Sequence, residues 1–224
     1  MNQLKENEQT LTRKRIVGLK DLAIALVTTN DSNNYAADVP VRLARAVTAT
    51  VKENFSKEDI YSDDAVEDTV DSFEKVEIEV EVNRLAPGDQ ALLFDCLYNK
   101  GYLLKSGDDK AKEIAVGFRA KQANGKYEFN WYYCGTASRP EKSYETIKDK
   151  KTPQSEKITF TMYQRNKEDI VNGEKKRLYA ITVDESQLLE DYTDAKAAID
   201  NWFGEVQEYP EEITNPEAGN EATS

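Results

Sequence analysis

Three kinds of side chain in this sequence could do chemistry. Two carboxylate pairs, Asp63-Asp64 and Asp108-Asp109, have the makings of an acid/base couple. That chemistry needs one acid shielded enough to raise its pKa, and both pairs sit among polar neighbours. Neither pair lies in a calcium-loop pattern, which needs acids at alternate positions and a closing glutamate. Cys96 and Cys134 lack CxxC spacing and fall in apolar or aromatic runs, where cysteine serves as a small core residue rather than a nucleophile. The aromatic run Tyr127, Phe129, Trp131, Tyr132 and Tyr133 could stack on a sugar. Strand alternation, however, gives Phe129, Trp131 and Tyr133 to one face, which suits a buried core. The glycines are scattered and form no phosphate cradle. Histidine is absent, which removes the Ser/His/Asp triad, the usual general base and the commonest metal ligand together. The sequence therefore reads as a non-enzyme with no cofactor and no metal site.

Charge narrows the partners. The chain has 224 residues with 42 acidic and 30 basic side chains, a net charge of −12. The acidity is regional: residues 52 to 81 hold twelve acids against three bases, and residues 184 to 224 hold twelve against one. What remains is net basic, so the chain owns surfaces of both signs and the means to stack against copies of itself. Tight nucleic-acid binding, which needs many Lys and Arg contacts to phosphate, is not expected. The longest uncharged run, Phe129 to Ser138, is about half of what a membrane helix requires, and the polar start MNQLKENEQT has no apolar signal core.

The elements that must position these residues follow from periodicity. Residues 1–15 read as a polar arm, 16–204 as the folded body, and 205–224, with two prolines and little apolar content, as a flexible acidic tail. Glu74 to Val82 alternates strictly, putting Val76, Ile78, Val80 and Val82 on one face and Glu77, Glu79 and Glu81 on the other. Ile114, Val116 and Phe118 alternate likewise, as do Ile158, Phe160 and Met162. Strands also fit Ile16 to Thr29, Val41 to Val51 and Arg177 to Val183. Asn124-Gly125 predicts a type I′ hairpin. One helix is expected after Pro87-Gly88 with Leu92, Leu93, Cys96 and Leu97 on its face. A second carries Ala195, Ala198, Ile199, Trp202 and Phe203, capped by Thr193 and ended by Gly204. The architecture this predicts is mainly β (α+β), a β-sandwich or barrel with one or two packed helices and long loops at Lys52 to Phe73 and Thr136 to Glu156.

Taken in order, VGLKDLAIALVTTND, PVRLARAVTATV, IYSDDAVEDTV and VEIEVEVNRLAPGDQALLF resemble segments of the major tail protein, or tail tube protein, of long-tailed bacteriophages infecting Gram-positive bacteria. VGFRAKQANGKYEFNWYYCGTASRPEKSYETIKDKKTPQSEKITFTM resembles that family's middle hairpin, charged loop and following strand, so the likeness spans roughly residues 16 to 185. The resemblance implies a tail-tube fold and hexameric rings that stack into a non-contractile tube through which DNA is ejected. It implies as partners other copies of the chain and the tail tip, tape measure and tail terminator proteins, with DNA passing unbound and no membrane contact. The place would be the virion, after synthesis in the host cytoplasm. Glu77, Glu79 and Glu81 then become candidate channel-facing residues, since carboxylates repel phosphate within a Debye length of about 10 Å. Tyr61, Asp63 and Asp64 become a candidate inter-subunit loop. Two other readings share parts of this pattern: the tube of a contractile tail or phage-derived injection particle, and a monomeric carbohydrate-binding β-sandwich using the aromatics around Trp131.

Overall fold

The computed structural model describes residues 15–43, 46–62, 65–140, 142, 155–171 and 173–210. The expected arm lies outside them except for Arg15, and so does most of the expected loop between Thr136 and Glu156. In chain order the elements are β1 (Ile16–Asn30), β2 (Tyr35–Ala37), β3 (Val41–Arg42), β4 (Ala46–Ser62), β5 (Ala65–Val82), α1 (Pro87–Phe94), β6 (Leu97–Asn99), β7 (Tyr102–Leu104), β8 (Ile114–Gln122), β9 (Tyr127–Ala137), β10 (Glu156–Tyr163), β11 (Asp169–Val171), β12 (Glu174–Lys176), β13 (Ala180–Asp184) and α2 (Thr193–Asp200). The chain is mainly β, as expected.

One sheet dominates, in the order β2-β1-β8-β9-β10-β5-β4, with β13 added to β9 and β3 to β1. It curls until β4 approaches β1, yet no hydrogen-bonded pairing joins those two strands among the described residues. The result is an open barrel. Its interior holds Val76, Ile78, Val80 and Val82 from β5, Ile158, Phe160 and Met162 from β10, and Ile114, Val116 and Phe118 from β8, all buried. Full burial of each such side chain is worth roughly 1.5–3 kcal/mol. Helix α1 adds Leu93 and Phe94 to this core.

A bulge in β1 keeps its pattern in phase. Lys20 pairs with Arg119 and Ala23 with Gly117, so β1 spends one more residue than β8 between those pairs. Asp21 takes up the surplus at φ 54°, held by ion pairs to Arg42 and Arg119. Leu19 and Leu22, three apart, therefore both face the barrel core.

A second, smaller core lies outside the barrel. Ala23, Ala25, Ala115, Phe129 and Trp131 point outward there and are covered by Trp202, with Ile199 and Phe203 alongside. The C-terminal segment is thus the lid on the outer face of β8 and β9. Gly117 is part of this fit, because a Cβ at that position would lie 2.6 Å from the Trp131 ring.

Several expectations need correction. The stretch Lys52 to Phe73 is not a long loop: its described backbone forms β4 and β5, paired from Ala46↔Val82 out to Ser62↔Ala65. α1 stops at Phe94 because Asp95 turns into the left-handed region at φ 54°, so Cys96 and Leu97 follow the helix, with Leu97 in β6. Thr193 is the first helical residue and does not cap α2. At Asn124-Gly125 only Gly125 has positive φ, and its N–H bonds the Gln122 carbonyl. That is a three-residue loop closed by a glycine, not a type I′ turn. The two-residue pattern occurs instead between β6 and β7, at Lys100 (φ 48°) and Gly101 (φ 87°). The start of the expected tail is also anchored, since Val206 packs on the outer core and Gln207 is buried. Residues 211–224 lie outside the described residues.

Candidate functional site

The face expected to carry function is the outer side of β5. With Val76, Ile78, Val80 and Val82 at 0–1 % exposure, the pleat turns Glu77, Glu79 and Glu81 away from the core, as the alternation predicted. Register supplies their neighbours. On one side β4 sets Lys52, Thr50 and Thr48 opposite Glu77, Glu79 and Glu81. On the other side β10 sets Thr161, Thr159 and Lys157 opposite the same three. Thr136 of β9 continues the row beside Thr161.

This face is less acidic than β5 alone suggests. Lys75 Nζ lies 2.8 Å from Glu77, and its hydrogen bond and charge hold the Glu77 carboxyl below the usual range. Glu81 accepts hydrogen bonds from the Thr48 and Ser155 hydroxyls. Glu79, exposed at the centre, has no ion-pair partner among the described residues. Three glutamates, three lysines and a band of threonines give a hydrated face with balanced charge. The lysines escaped the sequence reading because two of them come from other strands, and only the pairing register brings them beside the glutamates.

The same two strands run on as a ribbon. β10 pairs β5 from Val76 to Val82, and below Val76 β4 is the partner of β5 among the described residues for about 30 Å. Its root is fixed by aromatic stacking: the Phe73 ring lies 4.4 Å from that of Tyr179 and packs edge-on against Phe55. The Tyr179 hydroxyl donates to Glu53. Tyr61 belongs to this ribbon, paired with Val66. Asp63 and Asp64 lie outside the described residues.

No protein-family model matches the chain, and no curated protein matches it.

The other candidates for chemistry resolve as structure. Trp131 and Tyr133 are wholly buried and Phe129 nearly so, so they offer no platform to a sugar. Cys96 is buried, its thiol directed at Asp109. The Cys134 thiol donates to Glu113 at 2.9 Å; burial and that carboxylate push its pKa up to about 12. The sign is the reverse of an activated cysteine. A raised thiol pKa favours the folded state below the ordinary value of 9.0 and ceases to do so as pH climbs through about 12. Neither cysteine is therefore expected to react appreciably with iodoacetamide at pH 8 in the native protein, whereas both should label in denaturant. Rapid native labelling of Cys134, read by mass spectrometry, would contradict this. Among the described residues no cluster of acids and cysteines could hold a metal ion, and no helix is long and apolar enough to cross a membrane.

Two features were missed in the sequence. One is buried Arg165, whose guanidinium forks onto Asp169, Nη2 donating to Oδ1 at 2.7 Å and Nε to Oδ2 at 3.2 Å, reaches Glu208 at 3.0 Å and lies over the rings of Tyr133 and Tyr35 at 4.1 and 5.0 Å. No local pattern announces it, because its partners come from β2, β9, β11 and the C-terminal segment. The other is a cleft of about 510 Å³ where the barrel stays open. Its walls are Ile16 to Leu19 and Thr48, Ala49 and Val51, and its floor includes Phe118, Glu128 and Tyr132.

Proposed function

We propose that this protein is the tube subunit of a long, non-contractile phage tail, polymerising as stacked hexameric rings around a channel for DNA. The observation that carries this reading is the β4–β5 ribbon. A two-stranded hairpin is marginally stable in water by itself, and β4 leaves one whole edge without a partner strand among the described residues. Such an edge is a template for another chain, and a subunit built to polymerise uses it that way. Rings supply the neighbour the ribbon lacks, and tail tip, tape measure and tail terminator proteins would start, measure and end the stack.

The face bearing Glu77, Glu79 and Glu81 suits the lining of a bore. Balanced charge on a threonine-rich surface gives a duplex neither a basic wall to bind through counterion release nor an apolar one to foul. Purified protein at rising concentration should form rings or tubes in negative-stain images, and removal of residues 62–70 should leave a folded monomer that does not polymerise. Replacing Glu77, Glu79 and Glu81 by lysine turns the face uniformly basic, and tubes of that variant should retain duplex DNA that wild-type tubes release, with retention falling steeply in salt. A wild-type protein that stays monomeric at millimolar concentration with a tail-tip nucleator present would overturn the reading. Charge-reversed tubes with no DNA retention would remove the three glutamates from the channel.

A further inference from the structure

The β6–β7 hairpin is apolar on the wrong side. Leu97 pairs with Leu104 and Asn99 with Tyr102, so period-two geometry puts these four side chains on one face, with Tyr98 and Leu103 on the other. Leu103 packs against the barrel core. The first face is open among the described residues: Leu97, Leu104 and Tyr102 are 58, 57 and 72 % exposed. A small hairpin in water would place polar residues there, and a contiguous exposed apolar patch marks a contact surface. Lys100 stands exposed at the hairpin tip.

The open cleft has the complementary character. Its rim carries Ile16, Val17 and Val51, themselves exposed apolar residues. Its floor holds the half-buried Glu128 carboxylate, which takes a hydrogen bond from the Asn130 amide at 3.2 Å and has no cation partner among the described residues. A carboxylate in an apolar recess is costly without a counter-charge. The hairpin brings apolar side chains with a lysine at their tip.

The hairpin and the cleft are separate surfaces, set apart along β8. The hairpin packs on α1, and α1 bonds Lys112, just before β8 begins at Ile114. The cleft lies toward the far end of β8, at Phe118 and Ala120, up to about 20 Å along the strand. We propose that the β6–β7 hairpin of one copy seats in the β1–β4 cleft of the next, Leu97, Leu104 and Tyr102 against the cleft wall and Lys100 against Glu128. Knob and hole are different surfaces, so the contact is heterologous and propagates into a ring or a stack rather than closing as a two-fold dimer. This deepens the self-assembly reading above and rests on it for the occupant, a second copy of this chain.

The test uses full-length protein. Leu104→Cys copies mixed with Val17→Cys copies should form an inter-chain disulfide under mild oxidation, and neither variant alone should. Replacing Leu97 and Leu104 by serine should raise the concentration needed for assembly by about tenfold or more, as expected from exposing apolar side chains at each contact. Lys100→Glu should impair assembly, and Glu128→Lys in the same chain should restore it. Cross-links in either cysteine variant alone would indicate a symmetric contact and overturn the proposal. So would tubes that assemble normally from the serine variant without cross-linking in the mixture, an outcome that leaves the tube reading standing. Cross-linked small oligomers that never form tubes would uphold the docking and overturn the tube; a strictly monomeric wild type would overturn both.

Discussion

Truncating Trp202 to alanine is expected to destabilise the protein by about 3–5 kcal/mol, the usual range for removing a fully buried Trp or Phe side chain. Trp202 is 1 % exposed, its ring centroid lies 5.5 Å from that of Phe129, and its carbonyl accepts the Trp131 indole N–H at 2.9 Å. Losing the ring removes the lid of the outer core but leaves the barrel interior alone. The chain has two tryptophans, so the variant reports on Trp131 alone. Its emission should move to the red as water reaches the outer face of β9, and proteolysis should cut first in the segment after β13. Blue emission with a loss below about 1 kcal/mol would show that the C-terminal segment is not the lid.

Replacing Arg165 by alanine should be about as severe, for a different reason. Asp169 is 7 % exposed at its side chain, and removing the fork would leave its charge buried with Lys167 at 3.7 Å as the remaining cation. Breaking one side of a buried ion pair costs about 3–5 kcal/mol, which for a chain of this size lowers Tm by roughly 6–20 °C. Arg165→Lys should recover only part of the loss, since ammonium cannot fork onto a carboxylate or lie flat on Tyr133. Full rescue by lysine would mean that charge alone, without the planar fork, holds the cluster together.

How much of this was legible beforehand depends on how many faces of each strand are dry. β5 from Val76 and β10 announce themselves because one side is buried and the other is not, and β8, buried on both sides, because large apolar residues at Ile114, Val116 and Phe118 alternate with the small Ala115 and Gly117. The directions of Glu77, Glu79 and Glu81 followed from the same alternation. The ribbon beyond Val76 was invisible for the converse reason. Where its side chains are described, residues 51–57 and 71–75 are mostly exposed and only Phe73 packs against the core, so little selects apolar residues at every second position, and acids of low β propensity read as loop. β9 hid its second dry face, because Asn130 and Tyr132 look inward while Phe129 and Trp131 look outward, and all four are buried. The β6–β7 hairpin had a usable signal, the Lys100-Gly101 pair between two aromatic and aliphatic runs, which an expected longer helix overwrote.

The outer lid also fixes an order of events during synthesis. Trp131 and the residue that caps its indole are 71 positions apart in the chain. At roughly 5–20 residues per second on the ribosome, the cap follows by about 4–14 s. Once β9 has been made through Ala137, a nascent chain can complete the β8–β9 hairpin while still displaying Phe129 and Trp131 to solvent for the rest of that interval. Crowded polysomes translating this message would therefore hold many half-made chains with the same sticky stripe. A chaperone that shields that stripe should raise the yield of protein more than one acting after release.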